Sequence, residues 1–303
     1  MTIESRVLPP SGAWTGPAPH QELYRQYSTD EDRDRTNLHY EQPTEFFTRI
    51  VGGAWHTYSC NLWTEGADET VSQENKLDLL AGMMQLSPGQ RILEVGSGWG
   101  GPLVYLCKTY GVRGVGLTLS PTQRAYAEQR IATHGVNAAI VESHWQTYQD
   151  DEPFDVVFTD EVLAHVTDFG AFCRKAHSLL RPGGHFLNKE LHFTNSRYKK
   201  LSRAATFIHE IYGLTGNYRT LGDDLTALDS NGFAQEAVYQ IPQEHYRKTA
   251  EQWLVNMRRH QDEIRPLVGD DYYRQFRIYL KLVRRLFTLK TMTIDVMSSV
   301  KLE

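Results

Sequence analysis

The sequence lacks the features of a secreted, membrane-spanning or nucleic-acid-binding protein. Residues 1–6 have neither the basic start nor the apolar run of a secretory signal. No stretch reaches the roughly 18 uninterrupted apolar residues that a spanning helix needs. The formal net charge of −5 argues against a general nucleic-acid binder, because phosphate neutralisation requires a broad excess of Lys and Arg. We therefore expect a cytoplasmic protein without a nucleic-acid partner.

Cysteine is scarce as well. Cys60, Cys107 and Cys173 are odd in number and widely spaced, which excludes a disulfide framework and a zinc site. The sequence also has no cluster with metal-ligand spacing, no Walker-type lysine and no Ser/His/Asp order. We expect no bound metal, and a reducing compartment suits such a chain.

What the sequence does contain is a regular alternation of strands and helices. Strands are predicted at 91–95, 112–118, 138–142, 154–159 and 185–191, and helices at 73–86, 102–110, 169–180 and after residue 120. This spacing predicts an α/β fold with a parallel, doubly wound sheet. After residue 192 the pattern changes to a basic helical stretch (197–212), a strand (233–241), a long helical region (246–289) and an alternating segment (291–300).

A glycine-rich turn follows the first strand. Residues 94–101 read Glu-Val-Gly-Ser-Gly-Trp-Gly-Gly and match G-x-G-x-x-G, which dinucleotide enzymes combine with an acid about 20 residues later. Here the second strand ends at residues 117–120, Leu-Thr-Leu-Ser, without a carboxylate. S-Adenosylmethionine has no phosphate, and Glu94 inside the first strand suits its ammonium group. The turn therefore favours a methyltransferase over a nicotinamide enzyme.

Further segments narrow this interpretation. They are His39-Tyr40, Phe46-Phe47, Thr57-Tyr58-Ser59-Cys60, Gly116-Leu117-Thr118-Leu119-Ser120, Gln123, Trp145, His245-Tyr246 and Ile294-Asp295-Val296. With them, the sequence from about residue 39 to 302 resembles the cyclopropane fatty acid synthase family, which includes the mycolic acid cyclopropane synthases. The resemblance implies a class I methyltransferase fold: a Rossmann-like seven-stranded sheet with an N-terminal cap and a helical lid insertion.

Changes of composition and pattern along the chain set the expected domain limits, and the resemblance implies the cofactor site. We expect an N-terminal arm at 1–36, a cap segment at 37–72 and a methyltransferase domain at 73–303, with the lid at about 192–230. S-Adenosylmethionine is the implied methyl donor. Its implied contacts are Tyr58, Ser59, Gly96, Ser97, Gly98, Trp99, Gly100, Thr118, Leu119, Gln123 and Trp145. An ordinary core tryptophan is the alternative for Trp145.

The family's chemistry, as the resemblance implies it, starts from a carbon–carbon double bond that attacks the sulfonium methyl. The resulting carbocation must be stabilised and must lose a proton to a base. In the family that base is a bicarbonate, held at positions that are here Cys60, Ala164, Lys189, Leu191 and Tyr246. Ala164 replaces a Glu, Lys189 a His and Leu191 an Ile, whereas Cys60 and Tyr246 match. We therefore expect that bicarbonate is not used in the family's manner.

Other side chains must then supply the base. Glu161 and Glu190 are candidates, and His165 is a third because it is retained at the edge of the site. With Cys60 and Tyr246 they form the predicted catalytic set. The alternatives are a capping or solvent-facing role for each carboxylate and a packing role for the histidine.

Basic residues in the expected lid point to an anionic acceptor. Arg197, Lys199, Lys200 and Arg203, together with Lys189 at the site, could clamp a diphosphate or a phospholipid head group. These residues favour C-methylation of an isoprenoid (a prenyl diphosphate) or another specialised metabolite. The near full-length resemblance supports the alternative, a lipid enzyme that makes cyclopropane or methyl-branched acyl chains. An N- or O-methyltransferase and a non-catalytic adenosylmethionine-binding protein are weaker alternatives.

A second basic group follows one face of a predicted helix. It consists of Arg274, Arg277, Lys281, Arg284 and Arg285, beside the apolar stripe Phe276, Leu280, Val283 and Phe287. A basic amphipathic helix can lie on an anionic membrane, although a solvated face over a core stripe is commoner. The expected partner is a small-molecule or lipid alkene, and the sequence leaves peripheral membrane contact and oligomerisation open.

Overall fold

The computed structural model describes residues 26–199 and 218–303. A seven-stranded sheet lies at its centre, with the strand order β3-β2-β1-β4-β5-β7-β6. The strands are β1 (Arg91–Val95), β2 (Arg113–Thr118), β3 (Ala138–Glu142), β4 (Phe154–Asp160), β5 (Leu180–Phe193), β6 (Phe233–Ile241) and β7 (Met292–Lys301). The first five are parallel, and β7 pairs antiparallel with β5 and β6. The predicted seven-stranded Rossmann-like α/β fold is confirmed.

Helices cover both faces of this sheet. They are α1 (Thr29–Tyr40), α2 (Thr44–Val51), α3 (Glu69–Met83), α4 (Gly101–Tyr110), α5 (Pro121–His134), α6 (Phe169–Leu179), α7 (Leu221–Asp229), α8 (Gln243–Arg259) and α9 (Gln261–Thr288). Local sequence explains several of the starts: the Ser120 side chain accepts a hydrogen bond from the Gln123 N–H, and Pro121 stands at the first helical position. Among the described residues, no helix is both long and apolar enough to cross a membrane.

The long helical region predicted at 246–289 is interrupted twice. The first interruption is at His260, which lies between the end of α8 and the start of α9. The second is at Gly269 (φ 79°), which kinks α9. Glycine adopts a positive φ without strain because it has no Cβ, which explains why the kink occurs at this residue. The predicted boundary between arm and cap, at 36/37, lies inside α1.

The cap packs on one face of the sheet. Phe46, Phe47 and Ile50 of α2 are fully buried in the larger of two core clusters, where Phe46 lies edge-on to Phe276 of α9 at 5.0 Å between ring centres. The smaller cluster occupies the opposite face, under α6 and α7. This arrangement leaves the carboxyl ends of β1 and β4, where the strand order reverses, as the place for a ligand.

A buried ionic cluster ties β5 to β7 and α7 on that second face. The His192 ring bonds Asp295 through Nδ1 (2.9 Å) and Asp224 through Nε2 (3.2 Å), and Arg219 pairs with Asp224. Burial alone would lower the pKa of His192, but hydrogen bonds to the two carboxylates outweigh it and raise the pKa to about 9.

This cluster predicts a pH dependence of stability. A histidine whose folded pKa exceeds the unfolded value of 6.5 stabilises the fold fully below pH 6.5 and loses that contribution as the pH rises through about 9. The shift corresponds to roughly 3 kcal/mol. Urea unfolding between pH 6 and 10 should show this decline in the wild type and not in H192Q. The exposed variant H134Q is the control, and parallel profiles for H192Q and the wild type would contradict the assignment.

Candidate active site

A cavity opens at the carboxyl ends of β1, β2 and β4. Of the eleven residues predicted to contact the methyl donor, ten line it: Tyr58, Ser59, Gly96, Ser97, Gly98, Trp99, Thr118, Leu119, Gln123 and Trp145. The eleventh, Gly100, instead caps the start of α4. We call this space the donor cavity.

The glycine turn forms the floor of the donor cavity. The Gly96 and Ser97 N–H groups both donate to the Leu117 carbonyl (2.9 and 2.8 Å), which fixes the turn to the end of β2. Gly96 has φ +80°, and a Cβ there would lie 2.4 Å from Val162. Only glycine satisfies both constraints, so the backbone can come close to a ligand.

Helix α1 forms the roof of the donor cavity, which sequence reasoning missed. Asp32, Thr36 and Asn37 line the cavity, and the Asn37 side chain donates to the Leu119 carbonyl at 3.2 Å. Asp32 also lies 3.0 Å from His144, next to Trp145. Little in the sequence indicates this position, because α1 is polar all round and has no apolar stripe.

Glu94 shows that the donor cavity suits a cationic ligand. Its carboxylate is buried at the cavity wall, and Oε2 has no hydrogen-bond partner among the described residues. Burial, reinforced by the nearby Asp160 charge, raises the pKa of Glu94 well above its usual range. An ammonium group would supply the missing partner, so the residues present fit S-adenosylmethionine.

A chain of buried charges runs from α3 to the edge of the donor cavity. The Lys76 ammonium donates to Ser59 Oγ (2.6 Å) and to Asp160 Oδ2 (2.7 Å), and Lys189 donates to Asp160 Oδ1 (2.8 Å) and to Glu161. Both lysines are fully buried. Sequence reasoning missed Lys76, which stands on the buried face of α3 beside Leu77.

Charge balance explains how these groups stay ionised. Burial alone would raise the pKa of Asp160, but the two lysine charges outweigh it and hold the pKa well below its usual range. Burial disfavours the charged form of both lysines and so lowers their pKa. Lys189 pairs with two carboxylates, Asp160 and Glu161, and these raise its pKa above the usual value. Lys76 pairs with Asp160 only, so burial prevails and its pKa is lowered.

Glu161 lies at the centre of the site. Its Oε1 accepts from the Cys60 backbone N–H (2.8 Å) and from Lys189, and its Oε2 accepts from the Tyr246 hydroxyl (2.9 Å). Its backbone has φ +60°, which is uncommon for a residue with a side chain and typical of functional sites. The structure thus brings together Glu161, Cys60 and Tyr246. It is the Cys60 backbone that takes part, because burial raises the pKa of the thiol and keeps it neutral.

A second, smaller cavity lies beside Glu161; we call it the aromatic chamber. Tyr40, Tyr58, Glu161, Ala164, His165, Leu191, Tyr218, Tyr246, Trp253 and Tyr279 line it. Four of these, namely Tyr40, Tyr58, Glu161 and His165, also line the donor cavity. The two spaces therefore meet at a ring of two tyrosines, a histidine and a carboxylate.

His165 stays a candidate for a proton-transfer role. Its Nε2 lies 3.5 Å from the Tyr40 hydroxyl, and the ring borders both cavities. Burial lowers the pKa of His165, so the imidazole is neutral at physiological pH. Trp145 fits both roles considered for it, a contact to the methyl donor and a core tryptophan. It lines the donor cavity, and its ring packs on Phe172 with 5.0 Å between ring centres.

The structure corrects the prediction for Glu190. Its oxygens accept from the backbone N–H groups of Leu163 (2.5 Å) and Leu191 (2.8 Å), and it lines neither cavity. Successive side chains of a strand alternate between the faces of a sheet, so Glu190 points away from the side of Lys189 and Leu191. Burial raises the pKa of Glu190 to about 7, but its role is to hold the short helix Leu163–His165.

The predicted anion clamp also needs correction. Lys189 is fully buried and already paired with Asp160 and Glu161, so it is not free for a substrate anion. Arg197 is exposed, and its guanidinium lies 4.8 Å from the centre of the Tyr198 ring, outside both cavities. Lys199 ends the short helix Ser196–Lys199, while Lys200 and Arg203 lie outside the described residues.

Comparison with known proteins places these features in one family. The model of the mycolic acid cyclopropane synthetase family matches residues 27–297. Cyclopropane mycolic acid synthase 1 of Mycobacterium tuberculosis is 28% identical over 272 residues, covering 83% of this chain and 91% of its own length. Cyclopropane-fatty-acyl-phospholipid synthase of Escherichia coli is 30% identical over 167 residues, covering 54% of this chain and 41% of that protein.

Solved structures agree in fold. The cyclopropane synthase MmaA2 of Mycobacterium tuberculosis superposes with a TM-score of 0.82 at 24% identity, covering 89% of this chain and 98% of that one. The mycolic acid cyclopropane synthase CmaA1, in complex with S-adenosylhomocysteine and CTAB, gives the same values. The chain therefore belongs to the mycolic acid cyclopropane synthetase family and is an S-adenosylmethionine-dependent methyltransferase, as the sequence predicts.

Proposed function

We propose that this enzyme transfers a methyl group to a carbon–carbon double bond in the acyl chain of a lipid, and that Glu161 accepts the proton the product loses. The observation that carries this proposal is the Glu161 carboxylate, held by three donors where the donor cavity meets the aromatic chamber. The names of the relatives, which refer to mycolic acids and fatty-acyl phospholipids, support an acyl acceptor.

The donor cavity would hold the cofactor through the ten predicted residues that line it. Bound S-adenosylmethionine supplies an electrophilic methyl group on a positively charged sulfur. Glu94 would pair with its ammonium group, and the glycine turn allows close approach of the backbone. The cap residues Tyr58 and Ser59 and residues of helix α1 line the same cavity and would shield the transfer path from water.

The aromatic chamber would hold the alkene. The π electrons of the alkene form the new carbon–carbon bond as the methyl–sulfur bond breaks. The positive charge therefore moves from the donor sulfur to a carbon of the acceptor. Aromatic rings stabilise a nearby cation, and Tyr40, Tyr58, Tyr246 and Trp253 line the chamber. The negative charge of Glu161, which also lines the chamber, stabilises the same cation electrostatically.

Glu161 would complete the reaction by taking a proton. Loss from the new methyl group closes a cyclopropane, and loss from a neighbouring carbon gives a methylated alkene. In both cases the carbon–hydrogen electron pair neutralises the cation and the proton passes to the carboxylate. Lys189, Tyr246 and the Cys60 N–H hold that carboxylate in place, so no external base is needed.

The structure gives less support to an isoprenoid diphosphate. Of the predicted anion clamp, Lys189 is neutralised by two carboxylates and Arg197 lies outside both cavities. A diphosphate needs several uncompensated donors close together. The acyl alternative therefore replaces the isoprenoid as our preferred acceptor.

One labelling experiment tests the proposal. The purified enzyme is given S-adenosylmethionine with a trideuterated methyl group and, separately, unsaturated phospholipid vesicles, prenyl diphosphates, an aliphatic amine or no acceptor. We expect labelled lipid; retention of two deuteriums marks cyclopropane formation, and retention of three marks methylation. Label in the prenyl diphosphate or amine, with none in lipid, would overturn the acyl assignment.

A further inference from the structure

The C-terminal part of helix α9 carries a basic surface, although the protein as a whole has a negative net charge. From residue 272 to residue 294 the sequence has six Lys or Arg and no Asp or Glu, whereas the whole chain has a net charge of −5. Four of these cations and exposed Ile278 share one face of the helix, and exposed Leu289 follows directly after its last residue. We call this surface the basic stripe; it consists of Arg274, Arg277, Ile278, Lys281, Arg285 and Leu289.

The helical period explains the stripe. Residues at 274, 277, 278, 281, 285 and 289 recur at intervals of three and four, so they cover one side of α9 over about 22 Å. The opposite side, including Phe276 and Leu280, is fully buried. The stripe is thus a solvent face, and its apolar members are unusually open: Ile278 is 47% and Leu289 is 57% exposed.

Most of the charge on the stripe is uncompensated. Arg274 pairs with Asp271, but Arg277, Lys281 and Arg285 form no ion pair with any residue in the ranges 26–199 and 218–303. An ordinary solvated helix face mixes both signs of charge along its length. Here Asp270 and Asp271 precede the stripe, and no acidic residue follows them before Asp295. Exposed Lys290 continues the basic run, and its carbonyl accepts from Thr194 at the end of β5.

The same helix forms a wall of the aromatic chamber. Tyr279 lines the chamber, and Phe287 stacks on Tyr246 with 4.2 Å between ring centres. The stripe and the aromatic chamber thus lie on opposite sides of one helix, about 10 Å across. A lipid surface bound to the stripe would therefore lie close to the site.

We propose that the basic stripe docks this enzyme on an anionic lipid surface, from which it takes its acceptor. The cations face lipid phosphates, and Ile278 and Leu289 enter the interface between head groups and acyl chains. This inference rests on the proposed function for the identity of the acceptor, but the docking itself does not require turnover.

Vesicle flotation tests the docking without catalysis. Wild-type enzyme should bind vesicles of phosphatidylcholine with about one third phosphatidylglycerol, and should bind pure phosphatidylcholine weakly. The variant R277Q/K281Q/R285Q should bind the anionic vesicles roughly a hundredfold more weakly. The matched control K108Q/R113Q/R124Q removes the same charge from exposed positions on α4, β2 and α5 and should bind as the wild type does. Salt near 1 M should release the wild type, since it shortens the screening length to about 3 Å.

Each result has a defined meaning. Equal loss in both triple variants would show that only net charge matters and would overturn the proposal, as would equal binding of the stripe variant and the wild type. Binding to an acidic acyl carrier protein instead of vesicles would overturn it in favour of a protein partner. Docking without any methylated lipid would leave the stripe assigned and refute the acyl acceptor, so the two proposals fail separately. Activity on a detergent-dispersed alkene should be unchanged in the stripe variant.

Discussion

Replacing Glu161 with Gln should lower turnover by about 10²–10⁴-fold, the usual range for loss of a positioned general base. Gln has the same shape and still accepts from Lys189 and the Cys60 N–H, but it cannot take a proton from the acceptor cation. Single-turnover kinetics would measure the chemical step. Calorimetry should show that S-adenosylmethionine binds E161Q about as tightly as it binds the wild type.

Glu190 provides the comparison for this variant. It is the other predicted carboxylate, but it holds backbone N–H groups on the opposite side of β5. E190Q should lower stability while the folded fraction keeps a kcat within about threefold of the wild type. If E190Q lost turnover and E161Q did not, the roles assigned here would be reversed.

A small anion should partly restore a Glu161→Gly variant. Glycine suits φ +60°, and its missing side chain leaves a carboxylate-sized space among Lys189, the Tyr246 hydroxyl and the Cys60 N–H. We expect added formate or bicarbonate to raise turnover of E161G in a saturable way. E161Q fills the same space and should not respond. Equal responses of the two variants would show that the anion acts elsewhere.

The predictable part of this protein is the part fixed by local pattern. Strand and helix periodicity gave the sheet, and β1 and β3 have the predicted ends. The glycine turn, Tyr58 and Ser59 were identified from short motifs and lie at one cavity. Such features depend on residues close in sequence, where propensity and turn chemistry act.

The charge network could not be predicted in the same way. Lys76, Asp160 and Lys189 lie on α3, β4 and β5, and only tertiary packing brings them within hydrogen-bond distance. The position of Glu190, in contrast, follows from the sequence. Lys189 and Glu190 are neighbours on one strand, and strand alternation already forbids both from facing the same site.

Replacing Lys189 with Met should destabilise the fold by about 3–5 kcal/mol, because it removes one partner of a buried charge pair. Lys189 is fully buried between Asp160 and Glu161, so both carboxylates would lose a cation without gaining contact with water. Urea unfolding at pH 7 measures the loss. The surface variant K108Q should change stability by no more than about 0.5 kcal/mol.

A double variant and a pH series separate charge from packing. K189M/E161Q should be more stable than K189M, since it removes one of the uncompensated charges. In the wild type the depressed pKa of Asp160 gives stability that is present above the unfolded value of 3.8 and lost as the pH falls below it. In K189M only Lys76 still opposes protonation of Asp160, so the deficit relative to the wild type should shrink as the pH is lowered from 7 to 5. A deficit that is independent of pH and of Glu161 would mean that Lys189 acts through its packed aliphatic chain rather than through its charge.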